Sequence, residues 1–343
     1  MPVDRVLLAA PRGFCAGVEM AIKALAWMVR TFDPPVYCYH EIVHNQVVVE
    51  RFRRLGVVFV DTMDEVPAGA PVMLSAHGSA PQVVAAARAN GGVVVDAVCP
   101  LVTKVHHEVK VRAGKGYTVV YAGHEGHDEA VGTMAVAPDS VRLVETVDDV
   151  DALDLPPETP VAFLAQTTLS ADEWGGVRDA AAARFPQMWM PDRSDLCFAT
   201  TNRQSALKAI AGRADAVVVI GSANSSNTRA LEQVARAAGC RRVLRVNGPA
   251  EVPDDLSGTV GVTAGASAPE ELVRAVVERL APAEGVEAVT VTTEDEYFPP
   301  PRELRNVLRG ALATAAASLL VPVDPAAILG DDRAVAASDV LDE

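Results

Sequence analysis

Cys15, Cys99 and Cys197 stand at three comparable places in this chain. Each follows a short apolar run or turn and precedes a stretch of helical character: Gly13-Phe14-Cys15-Ala16-Gly17-Val18, Asp96-Ala97-Val98-Cys99-Pro100-Leu101 and Asp195-Leu196-Cys197-Phe198-Ala199-Thr200. They lie 84 and 98 positions apart, which suggests three similar structural units, each lending one thiolate to a common centre. A helix N-terminus lowers a thiol pKa through its dipole and favours the thiolate. The chain contains no Cys-x-x-Cys pair, which disfavours a local zinc knuckle. Three thiolates with no fourth suit a 4Fe-4S cluster whose remaining iron stays open to substrate. Cys38, in Tyr37-Cys38-Tyr39, and Cys240, after Gly239, read instead as small buried hydrophobes.

A second set of residues suits an anion. His44 lies in Val43-His44-Asn45, His77 in Ala76-His77-Gly78 and His127 in Gly126-His127-Asp128-Glu129. Imidazole donates hydrogen bonds to phosphate oxygens and carries charge when protonated. Ser225, Ser226, Asn227 and Ser267 are residue types that cap helices whatever the function. The same hydroxyls, amide and free backbone N–H groups also make a phosphate cradle, and Gly265 allows close backbone approach. Glu129 is either a solvated loop carboxylate or, beside a cluster and a diphosphate, a proton donor of raised pKa. Thr167 either caps a helix or hydrogen-bonds a substrate hydroxyl. His124, His127 and Glu129 superficially resemble metal-ligand spacing, but the helix-face spacing of His-Glu-x-x-His is absent. Neither a phosphate-binding P-loop nor a dinucleotide fingerprint occurs.

These residues need a scaffold that presents loops together. Valine-rich bursts at Arg5–Ala9, Val57–Val60, Pro71–Ser75, Gly92–Asp96, Thr118–Ala122, Val161–Gln166, Ala216–Ile220, Arg242–Val246 and Thr259–Thr263 predict strands. Helical periodicity falls between many of them, over Val18–Arg30, Ala80–Ala89, Leu101–Ala113, Ala171–Arg184, Asn202–Ala211, Ser226–Ala238 and Pro269–Leu280. Continuous β-branched runs alternating with helices indicate an α/β protein with mainly parallel, covered sheets. In such sheets ligands sit outside the carboxyl ends of the strands, where the polar loops of this chain cluster.

Composition narrows the function classes. At 343 residues, half of them hydrophobic, the chain is long enough for two or three domains. A formal net charge of -15 argues against nucleic acid as a partner. No apolar run reaches the roughly 18 residues of a membrane span. Few cysteines and no visible signal peptide predict a cytoplasmic protein with reduced thiols. Residues 306–343 read as an Ala-rich, then acidic tail, helical over Ala311–Val321 and partly disordered towards its end.

With those residues in place, the chain resembles the 4-hydroxy-3-methylbut-2-enyl diphosphate reductase (IspH, or LytB) family, the last step of the methylerythritol phosphate route to isoprenoids. The resemblance runs in order through the three cysteine segments, Val43-His44-Asn45, Ala76-His77-Gly78 and Gly123-His124-Glu125-Gly126-His127-Asp128-Glu129. It continues through Gln166-Thr167-Thr168-Leu169-Ser170, Cys197-Phe198-Ala199-Thr200-Thr201-Asn202-Arg203-Gln204, Asn224-Ser225-Ser226-Asn227 and Thr263-Ala264-Gly265-Ala266-Ser267. It covers roughly residues 5–305. Ala97-Val98 and Asp128 depart from the family's usual Ala-Thr and Pro.

The resemblance implies one 4Fe-4S cluster per chain on Cys15, Cys99 and Cys197, with one iron not bound by cysteine. It implies diphosphate binding by His44, His77, His127, Ser225, Ser226, Asn227 and Ser267. Glu129 falls on the proton-delivering position and Thr167 on the hydroxyl-contacting one. The implied fold has three α/β units, residues 16–98, 99–195 and 1–15 plus 196–305, in a trefoil-like arrangement around the cluster. The implied reaction is two-electron reductive dehydroxylation of an allylic diphosphate to isopentenyl and dimethylallyl diphosphates, with ferredoxin or flavodoxin as electron donor. Two rivals stay open on the residues alone. A hydro-lyase of the aconitase type uses the same cluster without reductant, and an iron-sulfur sensor or carrier needs no diphosphate cradle.

Overall fold

A computed structural model describes residues 3–319, 333 and 335–342. The described elements begin β1 (Val3–Ala10), α1 (Ala16–Thr31), β2 (Val36–Tyr39), α2 (Gln46–Arg54), β3 (Val57–Val60), β4 (Val72–Leu74), α3 (Pro81–Ala89) and β5 (Val94–Asp96). They continue with α4 (Pro100–Gly114), β6 (Thr118–Ala122), α5 (Asp128–Met134), β7 (Val141–Val144), α6 (Val147–Ala152), β8 (Val161–Ala165), α7 (Ala171–Arg184) and α8 (Phe198–Ala211). The rest are β9 (Ala216–Ile220), α9 (Ser226–Ala237), β10 (Arg242–Val246), β11 (Gly258–Ala264), α10 (Glu270–Leu280), β12 (Val286–Thr290), α11 (Arg302–Leu319) and α12 (Ala337–Asp342).

The strands form three sheets, in the orders β10-β9-β11-β1-β12, β3-β2-β4-β5 and β7-β6-β8. Every strand pair is parallel, the α/β class expected from the β-branched runs. The chain divides into two compact units. The first holds residues 3–15, 79–81 and 100–295, and with them the five- and three-stranded sheets. The second holds residues 16–78, 82–99 and the described residues from 296 onward, with the four-stranded sheet.

In the first unit both large faces of each sheet are covered. Val217 and Val219 of β9 pack with Ala206, Leu207 and Ile210 of α8 and with Leu231 and Val234 of α9. On the other face Val218, Val260 and Val262 pack with Val273, Val276 and Leu280 of α10. Val120 and Phe163 meet Val177 and Ala181 of α7, whereas Val119 and Leu164 meet Val105 and Val109 of α4. Each fully buried aliphatic side chain of this kind contributes about 1.5–3 kcal/mol. In the second unit Val60, Val72, Leu74 and Ala87 form the corresponding core.

Three strands and three helices are not visible as runs. Strand β12, Val-Glu-Ala-Val-Thr, lies at a sheet edge and alternates exposed with half-buried residues. Strand β2 is four residues with two tyrosines, following Pro34-Pro35, and β7 is interrupted by Arg142. Helices α2, α5 and α6 have at most nine residues, too few to display a clear period.

The tail differs from its expectation too. Helix α11 starts nine residues before Ala311, and the expected continuation to Val321 lies outside the described residues. Residues 337–342, at the acidic end expected to be partly disordered, form a helix with Ala337 and Leu341 buried. The Ala337 N–H donates to Glu19 Oε2 at 2.8 Å. The expectation of disorder over residues 320–332, 334 and 343 also lies outside the described residues. Among the described residues no helix is long and apolar enough to cross a membrane.

Candidate active site

Of the residues singled out in the sequence, Cys15, His127, Glu129, Thr167, Cys197, Ser225, Ser226, Asn227 and Ser267 belong to the first unit. His44, His77 and Cys99 belong to the second. Nearly all lie in loops that leave the carboxyl ends of strands or at the helix starts that follow.

Cys15 follows β1, and its N–H donates to Ala266 O at 3.2 Å. Gly13, two residues earlier, has φ +69°, and a Cβ there would stand 3.1 Å from Ala268 O. Glycine is suited to this left-handed turn. Cys197 caps α8: its Sγ accepts the Thr200 N–H at 3.2 Å and lies 3.0 Å from Thr200 Oγ1. The dipole argument predicts a lowered thiol pKa at such a place. Burial instead pushes the Cys197 thiol up to about 11, and the charge of Cys15 adds to the rise. Thr200 and Arg203 oppose that rise without overcoming it.

Glu129 is buried in the first turn of α5, with its carboxylate held by a single residue. The Thr167 N–H donates to Oε1 at 2.7 Å and the Thr167 hydroxyl to Oε2 at 2.9 Å. Burial drives the Glu129 pKa up to about 7 against these bonds, and Asp195 raises it further. Thr167 does not cap α7; Ser170 does, in a reciprocal box with Glu173. The Thr167 carbonyl accepts the Cys197 N–H at 3.0 Å. Next to Glu129, His127 Nδ1 accepts the Glu129 N–H at 3.2 Å. A neutral His127 ring therefore carries its proton on Nε2.

The serine and asparagine residues divide by role. Ser225 caps α9, accepting from the Thr228 N–H at 3.3 Å. Ser226 Oγ accepts from Gln166 Nε2 at 3.1 Å and lies 3.4 Å from His124 Nδ1. Asn227 Oδ1 accepts the Ala266 N–H at 2.8 Å, and its Nδ2 donates to Thr200 Oγ1 at 3.4 Å. Ser267 is buried in the loop after β11, and Pro269 rather than Ser267 precedes α10. His124 pairs with Glu173 at 3.9 Å, so His124, His127 and Glu129 turn to different partners rather than to one metal.

In the second unit Cys99 follows β5, and its N–H donates to Ala76 O at 3.0 Å. The Ala76 N–H donates to Ile42 O at 3.3 Å, which links the loops carrying His44, His77 and Cys99. The His44 and His77 rings stack at 3.8 Å between centroids with 13° between planes. Asn45 caps α2, accepting from the N–H groups of Val47 and Val48 at 3.0 and 3.2 Å.

Cys15, Cys99 and Cys197 form no disulfide and each is half-buried. The charge of Cys15 disfavours the Cys197 thiolate, and a bound cation would relieve that opposition. The N–H and hydroxyl directed at Cys197 Sγ are donors of the kind that support a ligating thiolate. Cys38 is fully buried within β2 and Cys240 is 7% exposed, both packed as hydrophobes.

Four residues escape the sequence reading of this site. Gln166 bridges Thr168, Ser226 and the His124 N–H. Thr200 meets Cys197, and Arg203 and Asp195 are buried charges beside the cysteine segments. Asp195 Oδ1 lies 3.6 Å from Lys104 Nζ. All four sit within motifs already singled out, but no spacing rule assigns them partners.

The chain matches the LytB protein family model over residues 6–281. It is 48% identical over 306 residues to the 4-hydroxy-3-methylbut-2-enyl diphosphate reductase of Rhodopirellula baltica, covering 88% of this chain and 96% of that one. It is 48% identical over 309 residues to 4-hydroxy-3-methylbut-2-enyl diphosphate reductase 2 of Mycobacterium bovis, covering 88% and 94%. Among solved structures, the E-1-hydroxy-2-methyl-but-2-enyl-4-diphosphate reductase of Plasmodium falciparum aligns with TM-score 0.87 and 30% identity, over 91% of this chain and all of that one. The ordered motifs, the parallel sheets and the extent of these matches agree: this chain belongs to the LytB family.

Proposed function

We propose that this chain reduces (E)-4-hydroxy-3-methylbut-2-enyl diphosphate to isopentenyl diphosphate and dimethylallyl diphosphate, using one 4Fe-4S cluster on Cys15, Cys99 and Cys197. The observation that carries this reading is a buried acid, Glu129, whose carboxyl is held by Thr167 while the Thr167 carbonyl holds Cys197. A proton donor of pKa about 7 is thereby tied to a cluster ligand. Family membership supports the substrate and the overall chemistry.

A 4Fe-4S cluster held by Cys15, Cys99 and Cys197 would supply electrons and a Lewis acid. The chain's own residues do the remainder. His44, His77, His127, Ser225, Ser226, Asn227 and Ser267 bind the diphosphate through imidazole, hydroxyl and amide donors and fix the carbon skeleton. The Thr167 hydroxyl contacts the substrate hydroxyl. Glu129 passes its proton to that oxygen, so water departs instead of hydroxide. Two electrons and two protons enter per turnover: one proton leaves with the water and the other reaches carbon. The buried surroundings of Glu129 limit competing protonation. Ferredoxin or flavodoxin supplies the electrons, in the cytoplasm.

Anaerobic reconstitution followed by spectroscopy tests this reading. Addition of the allylic diphosphate should perturb one iron, and turnover should require reductant. Turnover without reductant would assign the chain to the hydro-lyases. Failure to bind diphosphate would leave a sensor or carrier.

A further inference from the structure

Arg203 is fully buried, yet it lies in the second turn of α8 and has no part in the reaction described above. Its Nε donates to Gly13 O at 3.0 Å and its Nη2 to Phe14 O at 3.1 Å. Its Nη1 donates to Ala199 O at 3.0 Å and to Glu294 Oε1 and Oε2 at 2.9 and 3.1 Å. Glu294 also accepts from Asn202 Nδ2 at 3.0 Å. Burying an arginine is costly unless its charge is paired and its donors are used, and here both conditions hold.

The acceptors are informative. Phe14 O belongs to the peptide that joins Phe14 to Cys15. The N–H of that same peptide is held by Ala266 O, so Arg203 and Ala266 grip its two ends. From Ala266 the bonds run on through Asn227 to Thr200 and so to Cys197 Sγ. Arg203 closes the ring from the other side, since Cys197 caps the helix that carries it. Cys15 and Cys197, 182 positions apart, are thus spaced by one closed circuit.

We propose that Arg203, anchored by Glu294, is a positioning residue for the iron-sulfur cluster, fixing the spacing of Cys15 and Cys197 and placing a paired charge beside them. This rests on the cluster-bearing reading above. The guanidinium stabilises the more negative, reduced cluster, whereas the Glu294 carboxylate opposes it. A planar fork is needed because one side chain must serve backbone carbonyls on two segments and a carboxylate at once.

The test uses the anaerobically reconstituted full-length enzyme and the variants Arg203→Gln, Arg203→Lys and Glu294→Gln. Midpoint potential and rate of iron loss to a chelator are the readouts. Arg203→Gln should move the potential negative and Glu294→Gln positive. Arg203→Lys keeps the charge and loses the fork, so its potential should stay near the parent while iron loss accelerates about 10- to 100-fold. A merely structural role would weaken all three proteins without opposite potential shifts, and that result overturns the proposal. Where the Arg203 variants do not fold, Glu294→Gln decides alone, and an unchanged potential refutes the proposed charge effect. If the parent itself takes up no cluster, the failure belongs to the proposed function instead.

Discussion

The carbonyl of Thr167 accepts the N–H of Cys197 at 3.0 Å, while the N–H and hydroxyl of the same threonine hold the two oxygens of Glu129. One residue after β8 therefore sets the acid relative to a proposed cluster ligand. The arrangement makes Glu129 and Thr167 a unit: the hydroxyl lowers the pKa that burial raises.

The first prediction concerns pH. As the proposed acid, Glu129 should keep kcat/KM level below about pH 7 and let it fall above. Thr167→Ala removes a bond that favours the carboxylate and should move this limb to higher pH, whereas Thr167→Ser should leave it in place. Glu129→Gln should retain substrate affinity and lose about 10²- to 10⁴-fold in kcat. A pH profile with an unmoved limb in Thr167→Ala, or normal kcat in Glu129→Gln, contradicts the assignment.

The same carboxyl predicts a stability effect. Its folded pKa lies above the ordinary value of 4.5, so the folded chain holds the proton more tightly than the unfolded chain. The cost of ionising it grows as pH rises from about 4.5 to about 7 and is constant above. Glu129→Gln removes that cost, on the order of 3 kcal/mol at most. Urea midpoints should therefore nearly coincide at pH 4 and separate at pH 8 with the variant higher. Equal separation at both pH values would show that burial does not shift this group.

The sequence makes the chemistry legible where it sits in strand-end loops. Cys15, Cys99 and Glu129 can be found because reactive residue types follow β-branched runs, and parallel sheets put ligands there, whereas Cys197 follows the irregular segment after α7. Arg203 cannot be found this way. Its partners Gly13 and Phe14 are about 190 positions away and are backbone carbonyls, which carry no sequence identity. Thr200 resembles any first-turn threonine until its bond to Cys197 Sγ is seen. The thiol of Cys197 shows the limit of a local argument: the helix start favours a thiolate, but desolvation outweighs it. Strand β12 escapes for the complementary reason, because an edge strand needs no continuous apolar run.

Substitution of cysteines should separate ligands from packing residues. Serine at Cys15, Cys99 or Cys197 should abolish iron retention and reductase activity. Serine at Cys38, which is fully buried, should instead lower stability by about 1–3 kcal/mol through an unsatisfied hydroxyl, with iron content kept. Full iron and activity in any of the first three variants would remove that cysteine from the centre.

His44 stacks on His77 and lies 3.4 Å, Nδ1 to Oε2, from Glu41. If these rings bind the diphosphate, His44→Asn removes a charge-assisted bond worth about 1.5–3 kcal/mol. Affinity for inorganic diphosphate should then fall about 10- to 100-fold by calorimetry. Unchanged affinity counts against His44 in the anion site.

Thr228 is fully buried where two glycine loops approach it. A Cβ added at either Gly221 or Gly265 would overlap the Thr228 Oγ1 outright. Gly265→Ala should therefore destabilise the chain by about 1–3 kcal/mol through overpacking and displace the loop that carries Ser267. Thr228→Ala removes the colliding hydroxyl, leaving the Thr228 Cβ 3.3 Å from the new methyl. The double variant should recover much of the lost stability, giving a coupling energy of about 0.5–3 kcal/mol in a double-mutant cycle. Diphosphate affinity should recover with it, because the same close packing positions Ser225, Asn227 and Ser267. Strictly additive effects on stability would mean that Gly265 is retained for some reason other than the approach of Thr228.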